Sequence, residues 1–483
     1  MNFWNAIARM FSLRTFSVVG ILTVLVYGVI LVFFGDDPHA HSRMERELFI
    51  WPALIALTGL YWLGYQNVKA DARISTAMVA VFGLFIGLMA VLITPFHSTD
   101  IFGYINRGWQ QVAYHTNPYV TVIDQLPGWE NDPMITNHWV DNPCPYGFLY
   151  AFIAKSLTSV MQGHLGNLAA TVFLFKGFNL LVHLGITLLV WLGARQLNVQ
   201  RPELPVFLYL WNPLMILQHL SNGHNDIVMV FFMVLAAFCA VRQWWVAVIP
   251  ALVAATLVKY AAVVLLPFAL VYAIRQTGWR SAIESCLIGA VLLIFFGLPY
   301  LPDMASFQIS AITENAAISH SSLHSVFFNL YKNISRDVEW LYEWREPVKA
   351  TLKYLILAVF SGFYLVQLGL AMKKDWTGVH FIRQSLLVML ALVCFASLKF
   401  YPWYLGMFFP LAFFLPQHYV PRQFVIVLSV FQLYAFTLVG QAHILNYLVL
   451  TALPFWFCFS ALKNNTAPTS SGNRYSYQAS PVV

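Results

Sequence analysis

One stretch of the chain reads His97-Ser98-Thr99-Asp100-Ile101-Phe102-Gly103-Tyr104, directly after an apolar run. A carboxylate where a chain leaves a membrane is partly desolvated, and such a group can take a proton from a hydroxyl. Asp is equally favoured as a helix cap, and residues 101–115 read as a helix, so Asp100 stands between a base and a cap. A second cluster is Asn222-Gly223-His224-Asn225-Asp226, between two apolar runs. Asn-Gly is a strong turn former and Asp226 suits a helix N-cap. Yet a His and an Asp at membrane depth are costly unless they face a polar cavity. The third signal is basic. Lys259, in Leu257-Val258-Lys259-Tyr260, and Lys399, in Leu398-Lys399-Phe400-Tyr401, fall at span ends. They either snorkel to the interface or capture a phosphate, for which a Lys point charge is well suited.

These residues need a frame, and composition says what kind. Of 483 residues, 59% are apolar and 10% charged, and the mean hydropathy is +0.67. Ordinary soluble domains carry roughly 25% charged residues. A disordered chain, a nucleic-acid-binding domain and a typical soluble globule are excluded. What remains is an all-α polytopic transmembrane helical bundle. Apolar runs fall at 15–34, 47–66, 74–95, 167–193, 203–221, 226–243, 246–258, 260–275, 280–300, 349–372, 379–398, 401–416, 423–441 and 444–462. Some are too short to span alone, so about 12–14 transmembrane helices are expected at ~20 residues each. Arg9 and Arg14 precede the first run as in a signal peptide, but the run ends in Gly35-Asp36-Asp37 with no small-residue cleavage site. It reads as an uncleaved first span.

Basic residues orient the bundle. With the N-terminus in the cytoplasm, the inner segments hold Arg9, Arg14, Lys69, Arg73, Arg195, Arg201, Arg242, Arg275, Arg280 and Lys373, and most carboxylates fall outside. The positive-inside rule supports this orientation and a cytoplasmic C-terminus. The expectation is a multi-pass protein of the cell (inner or plasma) membrane. Its parts are N-terminal helices over 1–95, a large outer loop over 96–166, helices over 167–300, a second outer loop over 301–348, C-terminal helices over 349–462 and a disordered cytoplasmic tail over 463–483. Outer loops that long are usually functional. Residues 146–160 are apolar but short. Reading them as a span would put Arg195 and Arg201 outside, so they read as an outer interfacial helix.

Other features read more plainly. Cys144, Cys239, Cys286, Cys394 and Cys458 form no CxxC pair, and core packing accounts for them. Lys176 and His183, inside the fourth span, line a cavity or pair with another helix. Asp337, Glu339, Glu343 and Glu346, interleaved with Trp340, Tyr342 and Trp344, predict an amphipathic surface helix. His320 and His324 read as loop surface rather than metal ligands. There is no Walker loop, no GxGxxG and no zinc-type spacing. No inner segment is long enough for a nucleotide-binding domain, so a membrane-soluble donor fits better than a cytoplasmic nucleotide.

Taken in order, several short pieces resemble the C-type (GT-C) superfamily of integral-membrane glycosyltransferases. Within it the chain is most similar to bacterial polyprenol-phosphate-mannose-dependent α-1,6-mannosyltransferases. The pieces are Thr99–Tyr104 with Asn117-Pro118-Tyr119; Pro143-Cys144-Pro145-Tyr146-Gly147; Trp211-Asn212-Pro213-Leu214; Asn222–Asp226; Leu257-Val258-Lys259 with Leu266-Pro267; and Tyr401-Pro402-Trp403-Tyr404-Leu405. One departure is Phe148, where many relatives have Pro; its loss would reshape the acceptor loop.

The resemblance implies an inverting transferase that takes a sugar, mannose by analogy, from a polyprenyl phosphate on the non-cytoplasmic face. The acceptor is a glycan or glycolipid, and the product a lipid-linked glycan or envelope polysaccharide. Asp100 corresponds to the family's base. Lys259, Lys399 and Arg107 would stabilise the leaving phosphate, and Asn222, His224 and Asp226 would bind the donor. Tyr104, Trp109, Asn117, Tyr119 and Tyr146 would hold the acceptor. The partners are thus the lipid-linked donor, the acceptor and the bilayer, with no nucleic acid. No cofactor is required, although a divalent cation would bridge Asp100 and Asp226 if they converge. The rival reading is a transporter or flippase of lipid-linked sugars, which needs polar groups through both leaflets.

Overall fold

The structure is a computed structural model that describes residues 12–35, 42–162, 167–301, 321–373, 377–435, 451–454 and 456. Among these residues the regular elements are all helical and there is no strand. In chain order the helices are α1 (Leu13–Phe34), α2 (Arg43–Ala70), α3 (Thr76–Leu92), α4 (Asp100–Ala113), α5 (Phe148–Met161), α6 (Leu168–Gln196) and α7 (Glu203–Leu210). Then follow α8 (Asp226–Val241), α9 (Trp245–Thr256), α10 (Leu266–Gly297), α11 (Leu323–Ile334), α12 (Glu339–Glu343), α13 (Arg345–Lys373), α14 (Gly378–Ala391) and α15 (Val420–Gln432). Side chains set several starts: Ser12, Ser42, Ser75 and Asn167 each accept a hydrogen bond from a first-turn amide.

Among the described residues six helices are long and apolar enough to cross a membrane. The chain is a multi-pass membrane protein. The exposed faces are apolar, as a lipid solvent requires: Val32 is 81% exposed, Leu181 69% and Val359 67%. Helix α13 is the extreme case, with Ala371 its only buried residue. Inside, aromatic rings lock the first helices together. Phe16 packs on Trp211 at 5.3 Å, and Tyr61 stacks on Phe207 at 5.5 Å.

Several expected spans are broken, and the reasons are local. The 203–221 run stops at Leu210. Asn212 then accepts the Met215 amide at 3.2 Å, Pro213 restarts the helix, and Ile216–Ser221 is π-helical. The Trp211-Asn212-Pro213 motif pins this break: the Trp211 indole donates to the Val79 carbonyl at 2.9 Å, and the Asn212 amide to Ser429 Oγ at 2.9 Å. The 401–416 run is two 3₁₀ segments, Pro402–Met407 and Pro410–Phe414, each opened by its proline. At roughly 2 Å rise per residue, a 3₁₀ segment reaches further than an α-helix of equal length. The 260–275 and 280–300 runs are two helices that meet at Gly278, whose backbone (φ 83°, ψ 173°) is not helical, and a 3₁₀ turn, Tyr260–Leu265, precedes the first.

Residues 148–161 form a short helix, α5, packed on α4. The acidic aromatic stretch is the short α12, with Trp340 and Tyr342 exposed. Most of the 444–462 run, the 463–483 tail, Cys458 and His320 lie outside the described residues.

Candidate active site

Asp100 is the first residue of α4, and no side-chain cap bond forms there; Thr99 occupies the cap position. The loop that delivers Asp100 is clamped from two sides. Asn222 Oδ1 accepts the amides of Phe96 at 3.1 Å and His97 at 2.8 Å. Lys176, fully buried in α6, donates its ammonium to the Ile93 carbonyl. The Asp100 amide donates to Ser98 Oγ at 3.2 Å. Asn222 therefore holds the loop; the expectation that it binds donor finds its oxygen and its amide (on the Leu217 carbonyl, 2.8 Å) already engaged.

The π-helical turn Ile216–Ser221 delivers the Asn222–Asp226 corner to this loop. Gly223 sits at φ +75°, where a Cβ would meet Ile101 Cδ1 at 2.4 Å, so the turn needs glycine both for its conformation and for its contact. Asn179 of α6 pins the corner, donating to the carbonyls of His219 at 2.9 Å and His224 at 3.2 Å. His224 is fully buried, and its Nδ1 lies 3.5 Å from Asp100 Oδ2. Its ring stacks on Trp403 at 3.9 Å, and Trp403 stacks on Tyr401 at 4.5 Å.

Asp226 opens α8 and, like Asp100, makes no cap bond. Its Oδ1 accepts from Lys259 Nζ at 2.6 Å, and the Lys259 ammonium sits 4.9 Å from the centre of the Tyr404 ring. Lys259 reaches Asp226 because it is extended (φ −150°) between α9 and the next 3₁₀ turn. A second backbone braces it. A Cβ on Gly147 would lie 2.2 Å from the Leu257 carbonyl oxygen, and the Gly147 amide donates to the Val258 carbonyl at 3.1 Å. This close approach explains the glycine of the Tyr146-Gly147 motif. A second π-helical turn, Leu392–Ala396, leads to Lys399. Such turns often mark functional sites. Tyr104 lies between the two helix starts, its hydroxyl accepting the Asn225 amide at 3.5 Å and its ring edge-on to Tyr146 at 5.1 Å.

The electrostatics suit an ionised carboxylate. Burial alone would raise the Asp100 pKa, but the His224 ring 3.5 Å away, the Lys259 charge and the Ser98 hydroxyl outweigh it and hold the group below its ordinary value. About a quarter of the Asp100 side chain is exposed (23%), so an acceptor can reach it. Burial, with His224 and Arg46 adding to it, lowers His97 to about 3, so His97 is neutral at pH 7. Burial lowers Lys399, and the Asp100 charge opposes that fall.

Around this centre several buried polar atoms have no protein partner: Gln218 Oε1, Ser221 Oγ, both amide atoms of Asn225, Asp226 Oδ2 and His224 Nε2. Buried polar groups are normally paired. A run of open ones beside a carboxylate is where a hydroxylated ligand would bind.

The outer-loop residues behave differently. Arg107 is buried, its guanidinium donating to the carbonyls of Gly103 at 3.0 Å, Trp139 at 3.1 Å and Asn142 at 2.8 Å. Trp109 donates to Asp132 at 2.8 Å, Asn117 to the Tyr300 carbonyl at 3.1 Å, and Tyr119 to the Tyr146 carbonyl at 2.8 Å. These groups, expected at phosphate or acceptor, hold the loop. Phe148 begins α5 and stacks on Tyr300 at 5.5 Å, so the ring in place of proline is a packing element. His183 lies deeper in α6, its Nε2 3.3 Å from the Leu210 carbonyl.

Residues 25–275 match the sequence model described as alpha-(1->6)-mannopyranosyltransferase, N-terminal domain. The chain belongs to this family. Alpha-(1->6)-mannopyranosyltransferase A of Corynebacterium glutamicum is 24% identical over 261 residues, 52% of this chain and 50% of the relative. The Mycobacterium tuberculosis protein of the same name is 24% identical over 263 residues, 53% of this chain and 49% of the relative. The chain spans about half the length of the curated relatives it matches. The family match contains Asp100, Asn222–Asp226 and Lys259, whereas Lys399 and Tyr401–Tyr404 lie beyond it.

Trp403, Tyr401, Asn179 and Asn225 carry no assigned role in the sequence reading. Tyr401 and Trp403 were visible there as a motif. Asn179 signalled itself only as a polar residue in an apolar run. Among the described residues no group of three His, Cys, Asp or Glu side chains gathers as metal ligands.

Proposed function

We propose that this protein transfers a mannosyl residue from a polyprenyl-phosphate carrier to a hydroxyl of a glycan or glycolipid acceptor, on the non-cytoplasmic face and with inversion. The observation that carries the reading is Asp100: an ionised, partly exposed carboxylate 3.5 Å from His224, at the edge of a buried polar corner that also holds Lys259. Family membership and the relatives' names support the sugar and the α-1,6 linkage. Apolar exposed helices around the site support a donor that partitions into the bilayer.

In the reaction, Asp100 accepts the acceptor hydroxyl proton as the acceptor oxygen bonds to the anomeric carbon. The bond from that carbon to the phosphate oxygen breaks on the opposite face, and the polyprenyl phosphate leaves with the electron pair. One bond forms and one breaks at a single carbon, so the configuration inverts and no covalent enzyme intermediate is needed. Lys399 and Lys259 provide positive charge for the departing phosphate. Both helix starts, at Asp100 and Asp226, add their dipoles to the same region. The open groups of Gln218, Ser221 and Asn225 offer donors and acceptors for sugar hydroxyls.

The test uses purified full-length protein in nanodiscs with polyprenyl-phosphate-mannose and a panel of mannoside acceptors, with and without EDTA. Transfer by wild type that survives EDTA is expected. A folded wild type that binds the donor and forms no product with any acceptor would overturn the reading.

A further inference from the structure

The other ends of two site helices form a second feature. Helix α8 begins at Asp226 and runs 16 residues to Val241, about 24 Å at the usual rise. Arg242 follows it, and Arg195 closes α6 beside it. Between them lies a cavity of about 250 Å³ lined by Trp191, Leu192, Arg195, Gln196, Phe238 and Arg242. It therefore opens at the opposite side of the bundle from Asp100.

Its lining has the chemistry of a headgroup site. Two guanidinium groups face one small cavity, and among the described residues no carboxylate lies within ion-pair distance of either. Arg195 lies over Trp191 at 5.2 Å and Arg242 over Trp244 at 5.0 Å, so aromatic faces hold both charges in place. Arg242 Nη1 donates to Gln196 Oε1 at 2.7 Å, which leaves its remaining N–H groups to a ligand. Trp191, Leu192 and Phe238 supply an apolar wall. The volume falls below the ~300–1,000 Å³ of a pocket that encloses a whole small molecule. It suits a phosphodiester headgroup whose chains stay in the bilayer.

We propose that this cavity binds the phosphate headgroup of an anionic phospholipid in the leaflet opposite the Asp100 site. Basic pockets between spans recruit such lipids, and arginine forks match phosphate oxygens two at a time. The site is independent of the transfer chemistry, since no lining residue belongs to the Asp100 cluster.

Native mass spectrometry of the full chain, titrated with phosphatidylglycerol or with phosphatidylcholine of the same acyl chains, tests it. Wild type should hold phosphatidylglycerol at least 10-fold more tightly than phosphatidylcholine. The Arg195→Gln/Arg242→Gln variant should bind phosphatidylglycerol about 30-fold more weakly, given the known worth of each basic residue near an anionic surface. Arg195→Lys/Arg242→Lys keeps the charge and loses the fork, so its affinity should fall between the two. If the glutamine variant does not fold, the lysine variant and the wild-type lipid comparison decide. Equal binding of the two lipids, or undiminished binding by the variants, would overturn the proposal. Displacement of phosphatidylglycerol by millimolar inorganic phosphate would also overturn it, assigning the cavity to a soluble anion instead.

Discussion

Two regions attract attention for the same reason, a density of polar and aromatic residues, and they do opposite things. In the 218–226 corner the polar atoms are buried and largely open, Asn225 with both amide atoms unpartnered. In the outer loop most of the polar side chains that could meet substrate are engaged: Arg107 holds three carbonyls and leaves only its Nε open, and Trp109, Asn117 and Tyr119 each hold one acceptor, while the hydroxyls of Thr116 and Thr136 are open. Burying an unpaired polar group costs about 1–3 kcal/mol. A fold retains several in one place only where something else satisfies them. On the proposed reading the corner receives a ligand, and the loop holds its own shape and aims Asp100.

Substitutions can break or sharpen that contrast. Asp100→Asn should reduce transfer at least 10³-fold with the melting temperature kept, because an amide accepts no proton; steady-state rates and thermal melting read both. Lys259→Met should cost about 100-fold in transfer. It also leaves Asp226 buried without its partner, a loss of about 3–5 kcal/mol in stability by denaturant titration. Adding Asp226→Leu should restore much of the stability and none of the rate.

The pH profile separates the base from its neighbours. Asp100 must be ionised to act, and its pKa is held down, so wild-type kcat/KM should fall only below the ordinary carboxylate range near pH 4. His224→Phe keeps a ring against Trp403 and removes one of the lowering influences. The acidic limb should then move to higher pH. An unmoved limb would detach His224 from the base.

The loop substitutions should read differently. Arg107→Met orphans three carbonyls and should lower stability by about 3 kcal/mol, with kcat of the folded protein within 3-fold of wild type. Trp109→Phe removes one hydrogen bond and should cost about 1 kcal/mol with acceptor KM unchanged. A 10-fold rise in KM there, without loss of stability, would make the loop a substrate surface and dissolve the contrast.

The same contrast explains what could be read from the chain alone. Asp100, His224, Asp226 and Lys259 were legible because charge at the end of an apolar run is costly and therefore meaningful. The all-helical membrane fold was legible from composition. Arg107 and Trp109 read from the sequence as substrate groups because residue type in a polar loop looks alike whether its hydrogen bonds are open or spent. The breaks at Trp211–Ser221 and at Tyr401–Phe414 were hidden because hydropathy reads apolar content, not the π and 3₁₀ turns that proline and capping side chains impose there. Asn179 and Lys176, which fix the corner and the loop before Asp100, sit in an otherwise apolar helix, and which carbonyl each meets is a tertiary fact.

The most direct measurement compares donor binding with single-turnover transfer in Asp100→Asn, using polyprenyl-phosphate-mannose and the best mannoside acceptor. The account predicts a donor Kd within about 3-fold of wild type and transfer reduced at least 10³-fold. Transfer at a near wild-type rate, or loss of donor binding in step with transfer, would contradict Asp100 as the base.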